Sequence, residues 1–283
     1  MLRPGTHVLS RGGGELQVGL DPAQALVLPD SSAVQAALRL DGPGAEADPA
    51  TVRLLRAHGL LVDERTVLPL LDGSLPRAST AALSREAGPA APAVRRSRQR
   101  SRTAVLRFGH PDGEALRVQA VALARSAGLR EHRGRGGTPD AALLVGVGEP
   151  DREVVDPWLR DGVPHLLVRL TEGRALVGPF VAPGSTACLR CVDAHCTDAD
   201  AAWPLLVRQY AVASAHDRPD GAPEPVDPAL AALAVAWAVR DLMAYVDGQR
   251  PATWSATVTV PPRLDRIDTD HWLRHPACSC AWD

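Results

Sequence analysis

The sequence contains no lysine and no asparagine, and Ile267 is its single isoleucine. All 31 of its lysine-plus-arginine residues are therefore arginines. Without lysine the chain can form no Schiff base, and it offers neither a phosphate-loop lysine nor a lysine general base. This absence alone excludes several large enzyme classes.

The chain also has little net charge and no long apolar run. A formal net charge of -2 gives no overall attraction to phosphate or anionic lipid. No apolar run approaches the roughly 18 residues that cross a bilayer, and residues 1–5 lack the apolar core of a signal peptide. We expect a cytoplasmic protein with no membrane partner and no nucleic-acid partner.

The first 68 residues are predicted to form a small domain. Three short apolar stretches separated by turn residues indicate strands joined as hairpins, and two helical patterns follow them. The strands are expected at 7–10, 16–20 and 26–28, and the helices at 33–40 and 52–58. This order suggests a winged helix. Residues 69–102 are rich in Gly, Pro, Ala, Ser and Arg, which is typical of a linker.

Residues 103–283 are predicted to form a second, α/β domain. Short apolar runs alternate with helical patterns, which indicates a parallel sheet of Rossmann type. The expected strands are 103–108, 141–147 and 165–170, and the expected helices are 114–127 and 151–160. A buried helix through 227–246 and a strand at 254–260 follow.

Two close cysteine pairs stand out in this second domain. Cys188 and Cys191 form a CxxC pair, and Cys278 and Cys280 form a CxC pair. Four thiolates in two pairs match a closed, tetrahedral, structural zinc site. Buried unligated thiols, a CxxC redox couple and disulfides are the alternatives. Cys196 is left over as an unligated thiol, unless the neighbouring His195 substitutes as a ligand.

Longer motifs carry a family resemblance. Residues 178–195 read GPFVAPGSTACLRCVDAH, Trp203 and Pro204 follow, and residues 275–282 read HPACSCAW. They resemble the actinobacterial ThiF-like (Ocin-ThiF-like) proteins, the bacteriocin-cyclodehydratase or leader-peptide-binding partners of YcaO enzymes in azole and azoline (TOMM) peptide pathways. More loosely, residues 14–22 (GELQVGLDP) and 54–62 (LLRAHGLLV) resemble that family's PqqD-like recognition element, a winged helix.

The resemblance implies a fold like that of ThiF and other adenylating enzymes, a homodimer formed through that domain, and a role in the biosynthesis of ribosomally made, modified peptides (RiPPs) such as thiopeptides. The residues depart from the adenylating pattern, however. The turn after the first strand reads FGHPDG, in which Pro111 removes an amide and the GxGxxG spacing is absent. Residues 129–137 look like a loop in place of the second strand. We therefore expect no bound ATP and no catalytic residue.

Peptide is favoured over DNA as the ligand of the first domain. Residues 1–65 hold six arginines against eight acidic residues, whereas DNA-binding domains need a basic face. An extended leader would add to an exposed sheet edge beside a helix. By resemblance, the edge is Leu26, Val27 and Leu28, and the helical wall carries Val52, Arg53, Leu55 and Arg56. The apolar members of this set are equally expected to fill the small core.

The expected function is thus leader recognition and presentation of the precursor to a separate YcaO cyclodehydratase, without catalysis by this chain. One alternative is an ATP-dependent adenylating or cyclising enzyme that uses Arg107, Asp112 and Glu131. Another is a winged-helix DNA regulator with a zinc domain. The arginine-rich run 95–102 is interpreted as a solvated linker or as a contact for an acidic partner. His110 and His216 show no partner in the sequence.

Overall fold

The computed structural model describes residues 1–38, 47–67, 70, 72–134 and 137–281. The chain divides into two compact units, Met1–Arg96 and Ser97–Asp283. Each unit has its own core and is described separately.

The first unit opens with three antiparallel strands in the order β1-β2-β3. They are β1 (Val8–Gly12), β2 (Glu15–Val18) and β3 (Leu26–Pro29), and three helices follow: α1 (Ser32–Ala37), α2 (Pro49–Ala57) and α3 (Glu64–Val67). Ser31 caps α1, and Asp48 caps α2 ahead of Pro49 at its first turn. The predicted strands and helices of this unit are confirmed, although part of the first predicted helix, 39–40, lies outside the described residues.

Residues 69–102 are not the irregular segment that the composition suggests. They contain α4 (Arg77–Ala87) and α5 (Ala91–Arg100). The two helices form because Leu70, Leu83 and Ala91 bury a small apolar cluster of their own. The domain boundaries at 68 and 102 remain predictions.

Two arginines of the run 95–102 are buried, which a solvated linker would not require. The Arg95 guanidinium donates to both carboxylate oxygens of Asp72, at 2.6 and 2.5 Å. The Arg98 guanidinium donates to Asp247 and to the carbonyl of Ala127, which follow the ends of two helices of the second unit. The macrodipole favours the Arg98 cation at these two helix C-termini. Each of the two arginines thus holds parts of its own unit together.

The second unit is built on a seven-stranded sheet in the order β10-β9-β8-β7-β6-β4-β5. The strands are β4 (Arg102–Gly109), β5 (Arg130–Glu131), β6 (Ala141–Val147), β7 (His165–Thr171), β8 (Arg174–Val181), β9 (Ala256–Val260) and β10 (Asp268–His271). The strands β5, β4, β6 and β7 are parallel, and the other pairings are antiparallel. The sheet is therefore mixed. The three strands predicted to be parallel, β4, β6 and β7, are parallel, and β8, β9 and β10 extend the sheet by antiparallel pairing.

The reversal has a local cause in the two-residue turn between β7 and β8. Glu172 and Gly173 both have positive φ, 51° and 74°, which fits a tight hairpin turn. Farther along β8, Gly178 lies so close to β9 that an added Cβ would lie 2.2 Å from the carbonyl oxygen of Ala256. The hairpin and this close approach together set the antiparallel half of the sheet.

In its described residues the second unit also contains the α-helices α6 (Glu114–Ser126), α7 (Arg152–Arg160), α8 (Leu189–Ala199), α9 (Trp203–Ala213) and α10 (Pro228–Val246). Buried side chains of α6 and α10 share one core with the sheet, and those of α7 and α8 share a second. The candidate sites lie at two places in these layers: the start of α8, and the carboxyl ends of β4 and β6.

By length and composition α10 could cross a membrane, with a mean hydropathy of 1.6. The expectation that no apolar run reaches this length is therefore wrong. Half of the apolar window is buried inside the unit, and nine of the helix's residues are fully buried. This burial is typical of a core helix.

His165 is fully buried at the start of β7. Its Nδ1 lies 2.9 Å from the carbonyl oxygen of Val163, which can only accept, so Nδ1 carries the proton. Its Nε2 has no hydrogen-bond partner within the described part of the chain. Burial lowers the pKa of His165 from 6.5 to about 4, which means that the folded protein holds this ring neutral.

The burial of His165 predicts that part of the pH dependence of the unfolding free energy comes from this side chain. His165→Gln should remove that part. The unfolded chain takes up the proton first, so the contribution of His165 is complete above pH 6.5 and is lost as the pH falls toward 4. Between these values the unfolding free energy of the wild type should fall more steeply than that of the variant, by up to about 1.4 kcal/mol per pH unit. Urea denaturation at several pH values measures this. His216→Gln, at an exposed site, should keep the wild-type slope, and equal slopes for wild type and His165→Gln would contradict the assignment.

Candidate metal centre and strand-edge sites

The start of α8 positions the first cysteine pair. Cys188 is the N-cap residue of α8, and Cys191 lies in its first turn, where its N–H donates to the Cys188 carbonyl at 3.0 Å. Both sulfurs therefore lie at the same helix end. Cys278 and Cys280 reach them from the segment after β10, where a turn is closed by a bond from the Cys278 N–H to the His275 carbonyl. All four side chains are buried.

The four sulfurs form a compact cluster. Cys188 Sγ lies 3.8, 3.7 and 3.4 Å from the sulfurs of Cys191, Cys278 and Cys280, and Cys191 Sγ lies 3.2 Å from Cys280 Sγ. Sulfurs bound at about 2.3 Å around a tetrahedral zinc ion are separated by about 3.8 Å. A disulfide needs about 2.05 Å, so the cluster is one of free cysteines. Four buried cysteines at these distances can hold a metal ion such as zinc.

The electrostatics of the cluster also favour a cation. A hydrogen bond from the Cys188 thiol lowers the pKa of Cys191, so the first thiolate forms there. That same bond, together with burial, raises the pKa of Cys188, and burial raises the pKa of Cys280. Further thiolates are thus opposed by the first one and by the apolar surroundings, unless a divalent ion balances their charge. Cys196 lies outside the cluster, and burial raises its pKa.

A second candidate site is the crevice between β4 and β6. In an open α/β sheet the strand order changes direction at such a point, and ligands bind there beyond the carboxyl ends of the strands. The backbone N–H groups that could face a phosphate are already engaged. That of Asp112 donates to His110 Nδ1, that of Gly113 to the His110 carbonyl, and that of Gly148 to the Leu170 carbonyl.

The end of α9 covers this crevice. Ser214 Oγ accepts from the N–H of Glu149 at 3.4 Å, and it approaches Gly148 so closely that a Cβ there would lie 2.1 Å away. His110 is buried, and its Nε2 lies 3.1 Å from Asp217 Oδ1. The structure thus supplies the partner of His110 that the sequence does not show.

The three residues considered for a nucleotide site make contacts within the protein. The Arg107 guanidinium donates to the carbonyls of Gly109 and His110 at 2.8 and 3.1 Å. Asp112 contacts His110. Glu131, on the short strand β5, accepts from Arg125 and Arg133, and the bond from Arg125 lowers its pKa. Residues 130–131 are thus a strand, where the sequence suggests a loop.

A chain of partly buried ion pairs beside the crevice was not foreseen from the sequence. Glu149 accepts from Arg169 at 2.8 Å and from Arg152 at 2.9 Å, and Arg152 also donates twice to Asp193, at 2.7 Å each. Burial alone would lower the pKa of Arg152, but its bonds and charge interactions with Asp193 and Glu149 outweigh burial and raise it. Arg152 and Asp193 also line a cleft of about 450 Å³ between α7, α8 and α9.

In the first unit the structure separates the predicted peptide-binding residues into two groups. Leu28 and Leu55 are buried in the core, and Leu26 packs against it. Val27 is 43% exposed on the opposite side of β3, Val52 is half-buried, and Arg53 and Arg56 are exposed. The leucines of this set therefore fill the core, which leaves Val27 and the two arginines available to a ligand.

No family model and no curated protein matches the chain. Solved structures do match. The heterocyclase TruD superposes with a TM-score of 0.67 at 15% identity over 99% of this chain, which spans only 42% of the TruD chain. MccB of E. coli, in a structure with ATP, superposes with a TM-score of 0.61 at 11% identity over 99% of both chains.

A structure of the microcin C7 biosynthetic enzyme MccB with N-formylated MccA matches at the same TM-score of 0.61, with 10% identity. At these identities the similarity establishes a shared fold. It supports the ThiF-like α/β architecture expected of the second domain and leaves the activity of this chain to be argued from its own residues.

The cysteine cluster predicts one tightly held zinc ion per chain. Cys278→Ser should lose this ion and lower the melting temperature, because binding of a structural metal contributes folding free energy directly. Elemental analysis by mass spectrometry and differential scanning fluorimetry measure the two effects. Cys196→Ser, the matched cysteine outside the cluster, should keep the ion. Less than about half an equivalent of zinc in the wild type would contradict a four-thiolate site.

Proposed function

We propose that this protein is a noncatalytic recognition and scaffold subunit of cytoplasmic RiPP biosynthesis. It binds the leader of a precursor peptide and presents the core to a separate YcaO cyclodehydratase, which forms the azolines. The observation that carries this proposal is the free edge of β3. This edge strand pairs only with β2 in the described part of the first unit.

The free edge presents a defined set of backbone groups. The Asp30 N–H donates to the Gly14 carbonyl, and the β2–β3 register continues through Leu16 opposite Leu28. Hydrogen-bonded and non-hydrogen-bonded pairs alternate in an antiparallel ladder, so the N–H and C=O of Val27 point away from β2. Pro29, two residues on, has no N–H to offer. Leader binding by strand addition would therefore centre on Val27.

The order of elements in the first unit supports the same proposal. Three antiparallel strands followed by three short helices match what we expect of a PqqD-like winged helix. The net charge of residues 1–65 is negative, which disfavours DNA, while Arg53 and Arg56 are exposed on α2. These two arginines could form charge-assisted hydrogen bonds with acidic leader residues.

The second unit supports a scaffold role over an adenylating one. Its strand-end amides are engaged within the protein, and the end of α9 lies where a nucleotide phosphate would bind. Binding without chemistry suffices for the proposed role, since tethering raises the concentration of the core peptide at the partner's active site to about the millimolar range. The exposed Leu205, Leu206 and Val212 of α9 offer an apolar face for the homodimer that we also propose.

The similar structures agree with this class of substrate. MccB has been solved with the peptide MccA, and a heterocyclase has been solved with substrate and cofactor. By analogy, the ligand of this chain is a ribosomally made peptide.

The Val27 edge gives a direct test with the full chain and a fluorescently labelled leader. Val27→Pro removes the outward N–H and should weaken leader binding at least tenfold, which is about 1.4 kcal/mol. Val27→Ala keeps the N–H and should remain within about threefold of the wild type. Fluorescence anisotropy measures both affinities. Equal binding by Val27→Pro and wild type, or unchanged binding after deletion of residues 1–65, would overturn the proposal.

The competing function is an ATP-dependent adenylating or cyclising enzyme with a divergent nucleotide site. The engaged amides predict that the purified chain releases no pyrophosphate from ATP, with or without precursor peptide. A coupled pyrophosphate assay measures this release. Turnover that is abolished by Arg107→Ala would instead establish the enzyme.

A further inference from the structure

A second group of potential metal ligands lies on α8, outside the four-cysteine cluster. His195 and Asp198 are three residues apart, so they share one face of the helix. His275 approaches them from the segment that carries Cys278 and Cys280. One candidate ligand atom from each of the three side chains lies within 4.8 Å of the other two, and the His195 and His275 rings are 4.8 Å apart in an edge-to-face arrangement.

We propose that His195, Asp198 and His275 form a second divalent-metal site. Two imidazoles and one carboxylate favour a late first-row transition ion such as zinc over magnesium or calcium. Ligands bound at about 2.1 Å around a tetrahedral ion are separated by about 3.4 Å. The three side chains therefore need to close by up to about 1.4 Å, a movement open to partly exposed side chains.

The hydrogen bonds of His195 prepare it for this role. Its Nε2 lies 2.9 Å from the carbonyl oxygen of Leu273. Since a carbonyl only accepts, Nε2 carries the proton and Nδ1 keeps a lone pair for a cation. A ring that donates one N–H to a backbone carbonyl while its other nitrogen binds the ion is the usual arrangement of metal-binding histidines.

His275 and Asp198 are already paired in the metal-free arrangement. His275 Nε2 lies 2.9 Å from Asp198 Oδ2, and the Ala277 N–H donates to His275 Nδ1 at 3.1 Å. A cation between the two side chains takes the place of the Nε2 proton. That proton moves to Nδ1, the ring remains neutral, and the bond from Ala277 is given up. This cost makes the second site weaker than the four-thiolate one.

The open coordination of this site distinguishes it from the cysteine cluster. Three protein ligands leave at least one position of a tetrahedral ion to water, whereas four thiolates close the ion off. Because its ligands come from α8 and from the C-terminal segment, an ion held here joins these two elements a second time. The inference rests on these side chains alone and is independent of the leader-binding proposal.

Isothermal titration of the full chain, already loaded with one zinc equivalent, with further zinc tests the site. We expect a second equivalent to bind with a dissociation constant in the micromolar range. His195→Gln and Asp198→Asn should each weaken this second event at least tenfold and keep the first equivalent, as measured by elemental analysis. His271→Gln, which alters an exposed histidine of the same C-terminal segment, should leave both events unchanged.

Two results would overturn the inference. One is saturation of the wild type at a single zinc equivalent up to about millimolar free zinc, which corresponds to less than about 4 kcal/mol of binding free energy. The other is a second event whose affinity is the same in the wild type, His195→Gln and Asp198→Asn. Both variants alter exposed or partly exposed side chains, so they should fold. Retention of the first zinc equivalent shows that a variant is folded.

Discussion

The main physical constraint on the second unit is the clustering of four buried sulfurs, since the other three lie within 3.8 Å of Cys188 Sγ. Thiolates this close repel one another in an apolar surrounding, so the arrangement calls for a cation to balance them. The pairs are also far apart in the chain, with Cys188 and Cys278 separated by 90 residues. An ion bound there closes a long loop and fixes the C-terminal segment against α8.

The ion-pair chain joins the first half of α8 to the start of α7 and to the sheet. Asp193 of α8 is bonded to Arg152, Arg152 to Glu149, and Glu149 to Arg169 of β7. Breaking a buried pair by removing one partner is costly, because the remaining charge is left desolvated. The chain therefore favours a single orientation of α8 on the sheet. Trp203 adds its indole N–H to Asp193 at 3.0 Å, which extends the same connection to α9.

The sequence predicted the helices and strands whose residues form a local hydrophobic pattern. The strands β4, β6 and β7 consist mainly of apolar residues. The helices α6, α7 and α10 have clear helical patterns, and α7 and α10 are capped by the side chains of Asp151 and Asp227. The strand β10 was missed because all four of its residues are exposed, and α4 because its apolar side chains cover only a small cluster. Cysteine spacing indicated the four cysteines that the structure brings together. The partners of Glu149 and His110 could not be foreseen, since ion pairs between distant elements leave no local pattern.

A structure of MccB with ATP invites the inference that this chain also binds a nucleotide, but the shared fold supplies only the crevice in which a nucleotide could lie. Phosphate binding at strand ends needs backbone N–H groups that are free to donate. In this chain Pro111 removes one, the side chain of His110 accepts another, and Ser214 accepts the N–H of Glu149. A nucleotide would have to displace Ser214 and break the contact between His110 and Asp217 before it met a donor. The N–H groups that remain at these strand ends are therefore satisfied within the protein.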